Sequence, residues 1–240
     1  MNTITFLNKG DVKMIAHRGV SGIERENTCP AFVAAGVKSY FGIETDVHIT
    51  KDGKFILCHD SNLERVAGVD TVIEETDFDT LRAIRFTDVN SDFVRGDVFL
   101  PTLEEYMYIC KKYDKEAVLE IKTEFEENDI SRLIDAVRAC GMLTRTTFIS
   151  FFKSCCLNLK KYYPEAKIQF LSSSDMDEAV QFCIQNGFDA DLYCNTVTKQ
   201  IVDMVHRAGH TVNVWTVNDI EKAELMKEYG VDYITTNILE

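Results

Sequence analysis

The sequence predicts a (β/α)8 (TIM) barrel with a small insertion after the second strand, and three observations carry this. Short β-branched or aromatic runs alternate with longer helical patterns along the chain, as parallel βαβ units require. Eight such runs in 240 residues leave about 30 residues per unit, the usual size of that repeat, and eight units favour a closed barrel over an open sheet. One stretch, 61–102, breaks the rhythm and reads as the insertion.

Met14-Ile15-Ala16 opens the apolar run that makes 13–17 the first strand. A helix at 29–39 leads to the second strand, 42–49. Lys51-Asp52-Gly53 then turns the chain back into a short extra strand at 55–58, as in a hairpin. The insertion is polar and charged and carries short helical patterns such as 79–84. Beyond it, helices 103–113, 128–140 and 152–162 precede strands 117–122, 146–151 and 167–172. N-cap residues between 172 and 177 introduce helix 176–186, which leads to strand 190–194. Helices 199–208 and 219–229 precede strands 211–217 and 233–236. Gly141, Gly187, Gly209 and Gly230 each follow a helical run, where a C-terminal cap sits. With no linker or internal repeat, residues 1–240 read as one domain that contains the insertion.

Composition narrows the function. With 45% hydrophobic residues, 3 prolines and 12 glycines, the chain can bury a full core. A net charge of −13 argues against nucleic acid, whose phosphates would be repelled over most of the surface. A small anionic substrate is compatible with that charge where the site is locally positive. No run approaches a membrane span, and residues 1–13 lack the apolar core of a signal peptide, so no stable membrane insertion is expected. The 8 cysteines are scattered without a CxxC, which points to reduced thiols and a cytoplasmic protein.

The chemistry collects where polar residues interrupt apolar strands. His17 and Arg18 close the first strand, Glu44 and Asp46 stand at i, i+2 on the second, and His59-Asp60 follow the hairpin. Glu120 and Lys122 repeat the i, i+2 spacing on the third barrel strand, and Trp215 sits on the seventh. Side chains at i and i+2 share a face, and barrel enzymes place their active groups at the C-terminal strand ends. Glu44, Asp46 and Glu120 would then form one acidic cluster. Like charges repel by roughly 4 kcal/mol at 4 Å and an effective dielectric near 20, so the cluster must bind a cation or hold protons. Oxygen ligands without sulfur or imidazole favour Mg²⁺ or Ca²⁺. Arg18 and Lys122 beside such a metal make a receptor for phosphate. His17 and His59 are placed to act as acid and base.

These residues resemble the glycerophosphodiester phosphodiesterase family. The resemblance runs in order through His17-Arg18-Gly19, Glu26-Asn27-Thr28, Glu44-Thr45-Asp46-Val47, Thr50-Lys51-Asp52-Gly53, His59-Asp60, Glu120-Ile121-Lys122 and Val214-Trp215-Thr216-Val217-Asn218. It implies a (β/α)8 barrel and metal-dependent hydrolysis of glycerophosphodiesters to glycerol 3-phosphate and an alcohol. It maps metal ligands onto Glu44, Asp46 and Glu120, and the histidine pair onto His17 and His59. Arg18 and Lys122 would hold the phosphate, Trp215 would face the glycerol moiety, and Glu26 with Asn27 would support the site. Arg25 stands where the family usually has proline.

His17 is read as the base and His59 as the acid, with water or the glycerol 2-hydroxyl as nucleophile. Other polar residues read differently. His48, which alternation puts on the face of Glu44 and Asp46, is expected at the barrel rim or behind the metal ligands rather than among them, and His206 near a helix C-terminus. Cys155, Cys156 and Cys183 read as helix packing, while Phe151, Phe152 and Tyr193 near strand ends either wall the substrate or fill the barrel, packing being the default reading of each. A rival activity is a phospholipase D-like enzyme acting on lysophospholipids, which calls for an apolar or basic docking loop that 61–102 does not offer. The resemblance implies a small-molecule phosphodiester as the partner. A closed barrel leaves no sheet edge for assembly, so any oligomer would use helices or the insertion.

Overall fold

β1 (Lys13–Ala16) pairs on one side with β2 (Gly42–Ile49) and on the other with β9 (Tyr233–Thr236), and this closes the ring in the computed structural model, which describes residues 2–240. The ring continues from β2 to β4 (Glu116–Ile121), β5 (Thr146–Ser150), β6 (Lys167–Ser172), β7 (Asp189–Tyr193), β8 (Val212–Trp215) and β9, every pair parallel. Helices α1 (Cys29–Gly36), α4 (Leu103–Lys112), α5 (Glu127–Ala139), α6 (Lys153–Tyr162), α7 (Met176–Asn186), α8 (Lys199–Arg207) and α9 (Ile220–Tyr229) connect the strands. The protein is therefore a (β/α)8 barrel, and the predicted strands differ from the observed ones mainly by a residue or two at their ends.

Local chemistry explains the helix starts. Thr28 caps α1 by accepting from the Ala31 amide, and Thr102 with Glu105 forms a reciprocal capping box on α4. Thr198 and Asp219 cap α8 and α9 in the same way. The strands are almost wholly buried because helices cover their outer face. Most of the core lies in that outer layer, while Ile15, Val118, Ile149 and Leu171 form a smaller apolar cluster inside the barrel. Cys155, Cys156 and Cys183 are buried in the outer layer, as their helical setting predicts.

After β2 the chain turns back as β3 (Phe55–Leu57), antiparallel to β2, and then forms α2 (Glu64–Ala67) and α3 (Phe78–Ala83). This segment is less polar inside than its sequence suggests. Ile56, Leu63, Val66, Ile73, Leu81, Phe86, Val98 and Leu100 build an apolar cluster of their own. Arg82 anchors it to α4 through a two-pronged pair with Glu105. The segment thus sits firmly over the barrel mouth beside β2. Among the described residues, no helix is long and apolar enough to cross a membrane.

Candidate active site

Glu44 and Asp46 point into the barrel mouth from β2, and the parallel register sets Glu120 of β4 directly opposite Asp46. One oxygen from each carboxyl lies within 4.8 Å of the others, and all three side chains are buried. Asp46 Oδ2 accepts from Asn27 Nδ2 at 2.7 Å and lies 3.7 Å from Arg18 Nε. Its Oδ1 lies 3.3 Å from the Lys122 ammonium as an ion pair but has no aligned hydrogen bond. Glu44 Oε2 accepts from the Arg18 amide at 2.8 Å, and Lys122 donates to Glu120 Oε1 at 2.9 Å.

The electrostatics follow from this crowding. Burial, then the charges of Asp46 and Glu120, push the Glu44 carboxyl well above the usual carboxylate range. Burial and Asp46 push Glu120 up to about 8. Burial acts on Asp46 in the same sense, but Lys122 and Arg18 outweigh it and hold that carboxyl below its ordinary value. The cluster therefore carries more acid than its own two cations stabilise in ionised form. Three converging carboxyls, one of which has an oxygen buried without a hydrogen-bond partner, suit a hard divalent cation. The cluster could hold a metal ion.

His17 directly follows β1, and its amide extends the ladder to the Thr236 carbonyl at 2.8 Å. Its Nδ1 lies 2.6 Å from Asn237 Oδ1 and its Nε2 3.9 Å from Glu44 Oε2. Burial, and then the neighbouring Arg18, lower the imidazole pKa to about 4. The ring is thus neutral near pH 7, and the approach to Glu44 is a contact between a free lone pair and a carboxyl rather than a salt bridge. With Asn237 accepting at Nδ1, Nε2 is free to take a proton. The chain then turns sharply. Arg18 has φ 54 and Gly19 φ 77, and a β-carbon on Gly19 would lie 2.6 Å from the Ala31 backbone. Only glycine fits this close approach.

His59 follows β3 and places Nδ1 at 2.6 Å from Asp60 Oδ1. Burial comes first, and Arg18 and Lys122 with it, in lowering its pKa, against the pull of Asp46 and Asp60. Arg18 Nη1 donates to Glu26 Oε1 at 2.8 Å. Burial would raise the Glu26 carboxyl, but hydrogen bonds from Arg65 and the charge of Arg18 bring it down to about 2. Asn27 accepts from Thr45 Oγ1 at 2.6 Å while donating to Asp46, so it aligns that carboxylate. Arg25 ties its loop to the insertion by donating to the carbonyls of Thr87 at 2.7 Å and Asp88 at 2.6 Å.

One cavity of about 560 Å³, open mouth included, joins these groups; His17, Arg18, Glu44, His59, Glu120, Lys122 and Trp215 all line it. Asp46, Glu26 and Asn27 stand behind that lining. Trp215 packs edge-on against Phe151 at 5.6 Å and at a tilt against Tyr193 at 5.4 Å. Of the two places open to these aromatics, Phe151 takes the cavity wall, whereas Phe152 packs on the core. His48 takes the place behind the site and not the rim. It stays on β2, is fully buried, and bonds Glu74 of the insertion at 2.6 Å, because 61–102 covers what would otherwise be the rim. His206 and His210 do not converge: the first pairs with Asp232 at 2.9 Å, and the second faces Asp189 at 3.8 Å.

Sequence reading passed over three residues here: Asn237, Arg65 and Asp191. Asp191 follows Asp189 at i, i+2 on β7, the spacing that singled out Glu44 and Asp46. It lines the cavity, and its Oδ1 is buried without a partner. Burial raises its pKa from 3.8 to about 7. The folded state therefore holds this proton more tightly than the unfolded chain, and stability falls as pH rises between those two values. Asp191→Asn is expected to stabilise the fold by on the order of 3 kcal/mol at pH 8 and by less than half of that at pH 5. Urea unfolding at the two pH values measures the difference, and an equal gain at both would rule out the buried charge.

A model of the glycerophosphoryl diester phosphodiesterase family matches residues 17–240. The chain belongs to that family. A glycerophosphodiester phosphodiesterase of Caldanaerobacter subterraneus subsp. tengcongensis is 29% identical over 235 residues, covering 93% of each chain. Solved structures share the fold. A putative glycerophosphoryl diester phosphodiesterase from Silicibacter pomeroyi superposes with a TM-score of 0.85 at 23% identity, over 95% of this chain and 90% of that one. An Oleispira antarctica phosphodiesterase in complex with the product sn-glycerol-3-phosphate gives 0.80 at 23% identity, over 94% and 92%.

Proposed function

We propose that this protein is a glycerophosphodiester phosphodiesterase that releases glycerol 3-phosphate and an alcohol in a divalent-metal-dependent reaction. The observation that carries the reading is the convergence of His17, His59 and the acidic cluster on one cavity, in a chain of this family. Glu44, Asp46 and Glu120 would hold Mg²⁺ or Ca²⁺, which when bound would supply Lewis-acid polarisation of a phosphoryl oxygen. Arg18 and Lys122, both kept charged by the carboxylates beside them, grip the remaining phosphate oxygens. His17 takes the proton of the attacking hydroxyl at its free Nε2. His59, oriented by Asp60, gives a proton to the departing alcohol oxygen. Trp215 and Phe151 offer an apolar wall to the carbon chain of the glycerol.

The test is a panel of glycerophosphodiesters assayed by coupled detection of glycerol 3-phosphate, before and after EDTA and after return of Mg²⁺ or Ca²⁺. Release that stops with chelation and returns with the metal supports the reading. Absence of glycerol 3-phosphate from every diester, under either metal, would overturn it.

A further inference from the structure

The insertion contributes more than a cover. Arg65, on α2, donates from Nη1 and Nη2 to both oxygens of Glu26 at 2.8 and 2.7 Å, and from Nε to Asp60 Oδ2 at 2.6 Å. Glu26 in turn holds the Arg18 guanidinium at 2.8 Å, and Asp60 holds His59 Nδ1 at 2.6 Å. The guanidinium uses all three of its nitrogens, and its planar fork fixes the angle between the two carboxylates it joins. Asp60 turns one oxygen to His59 and the other to Arg65, whereas Glu26 Oε1 is shared by Arg18 and Arg65 and its Oε2 accepts from Arg65 alone. The five side chains form one continuous line, His59–Asp60–Arg65–Glu26–Arg18, with both of its ends in the cavity.

We infer that Arg65 is a positioning residue that sets the imidazole of His59 and the guanidinium of Arg18 relative to one another, so that the insertion aligns the two ends of the site. This rests on the reading of the cavity as a phosphodiesterase site. Arg65 itself does not line the cavity, so it acts through the carboxylates. A single anchor for both groups has a mechanistic use: the phosphate arm and the proton donor keep their separation when substrate pulls on either one. A lysine could reach one of the carboxylates but could not fork between them.

The experiment is a set of substitutions at Arg65, Glu26 and Asp60 with kcat and KM measured for each. Arg65→Gln should lower kcat/KM by about 10²-fold, through both a higher KM and a lower kcat, and Arg65→Lys should recover only part of this. Glu26→Gln and Asp60→Asn should be non-additive by several-fold while Arg65 is present and additive once it is glutamine. Additivity in both backgrounds, or an Arg65→Gln enzyme within twofold of the parent, would overturn the inference. Imidazole NMR reads the same linkage without turnover, and only 5 histidines need assignment. Glu26→Gln, which does not touch His59, should shift the His59 Cε1 resonance in the parent but not in the Arg65→Gln background. An unmoved resonance breaks the linkage whatever the enzyme hydrolyses. A shifted resonance in a protein that cleaves no glycerophosphodiester keeps the linkage and rejects only the proposed substrate.

Discussion

Alanine at position 17 or at position 59 is expected to cut kcat for a glycerophosphodiester by about 10²–10⁴-fold, the range that positioned acid–base groups supply. The loss should fall on kcat rather than KM, since Arg18 and Lys122 remain to hold the phosphate. Both histidines lie at the cavity and outside the apolar core clusters, so each variant should melt within a few degrees of the parent. The two are not equivalent. His17 presents a free Nε2 on a ring held neutral, while His59 is oriented by Asp60, which favours its protonated form against the burial and the Arg18 and Lys122 charges that lower its pKa. A substrate whose leaving group needs no proton, such as a p-nitrophenyl diester, should therefore recover much of the activity of His59→Ala and little of that of His17→Ala. Equal recovery in both would reject the assignment of base and acid.

The second large effect concerns the acidic cluster and has a readout independent of turnover. Saturating Mg²⁺ or Ca²⁺ at about 100 times its dissociation constant should stabilise the fold by about 2.7 kcal/mol, or about 5–10 °C in Tm for a chain of this length. Glu44→Gln should behave in the opposite way to an ordinary active-site lesion. It removes one of three buried carboxyls crowded within 4.8 Å, so the metal-free protein should become more stable than the parent. The same change should abolish both the metal-dependent rise in Tm and the catalytic activity, because a ligand is gone. Glu44→Gln that is less stable without metal, or that keeps the full metal-induced rise, would remove the cluster from consideration as a cation site.

Much of this site was readable from residue order alone because strand alternation is local. Glu44 with Asp46 and Glu120 with Lys122 announce an inward face wherever a strand is buried on both sides, and the structure puts all four at the barrel mouth. The helix Met176–Asn186 appears with its predicted bounds, ended by Gly187 in the left-handed region. His48 shows where that logic stops. Its burial depends on Glu74, 26 residues away on a segment whose path no short-range pattern describes. The apolar cluster inside 61–102 escaped notice for a similar reason: its members are spread singly among charged residues.

Periodicity and turn chemistry thus carried the barrel, its eight parallel strands and the identities of the inward-facing acids and histidines, since each depends on neighbours a few residues apart. The partners that tune those groups became visible only in three dimensions. Asn237 reaches His17 because β9 closes against β1, 220 positions apart in the chain. Arg65 meets Glu26 across 39 residues, and the burial of Asp191, unlike its i, i+2 spacing, shows only once the barrel has formed around it. Sidedness repeats along a backbone and can be read from it, but proximity between remote segments is set by how the whole chain packs.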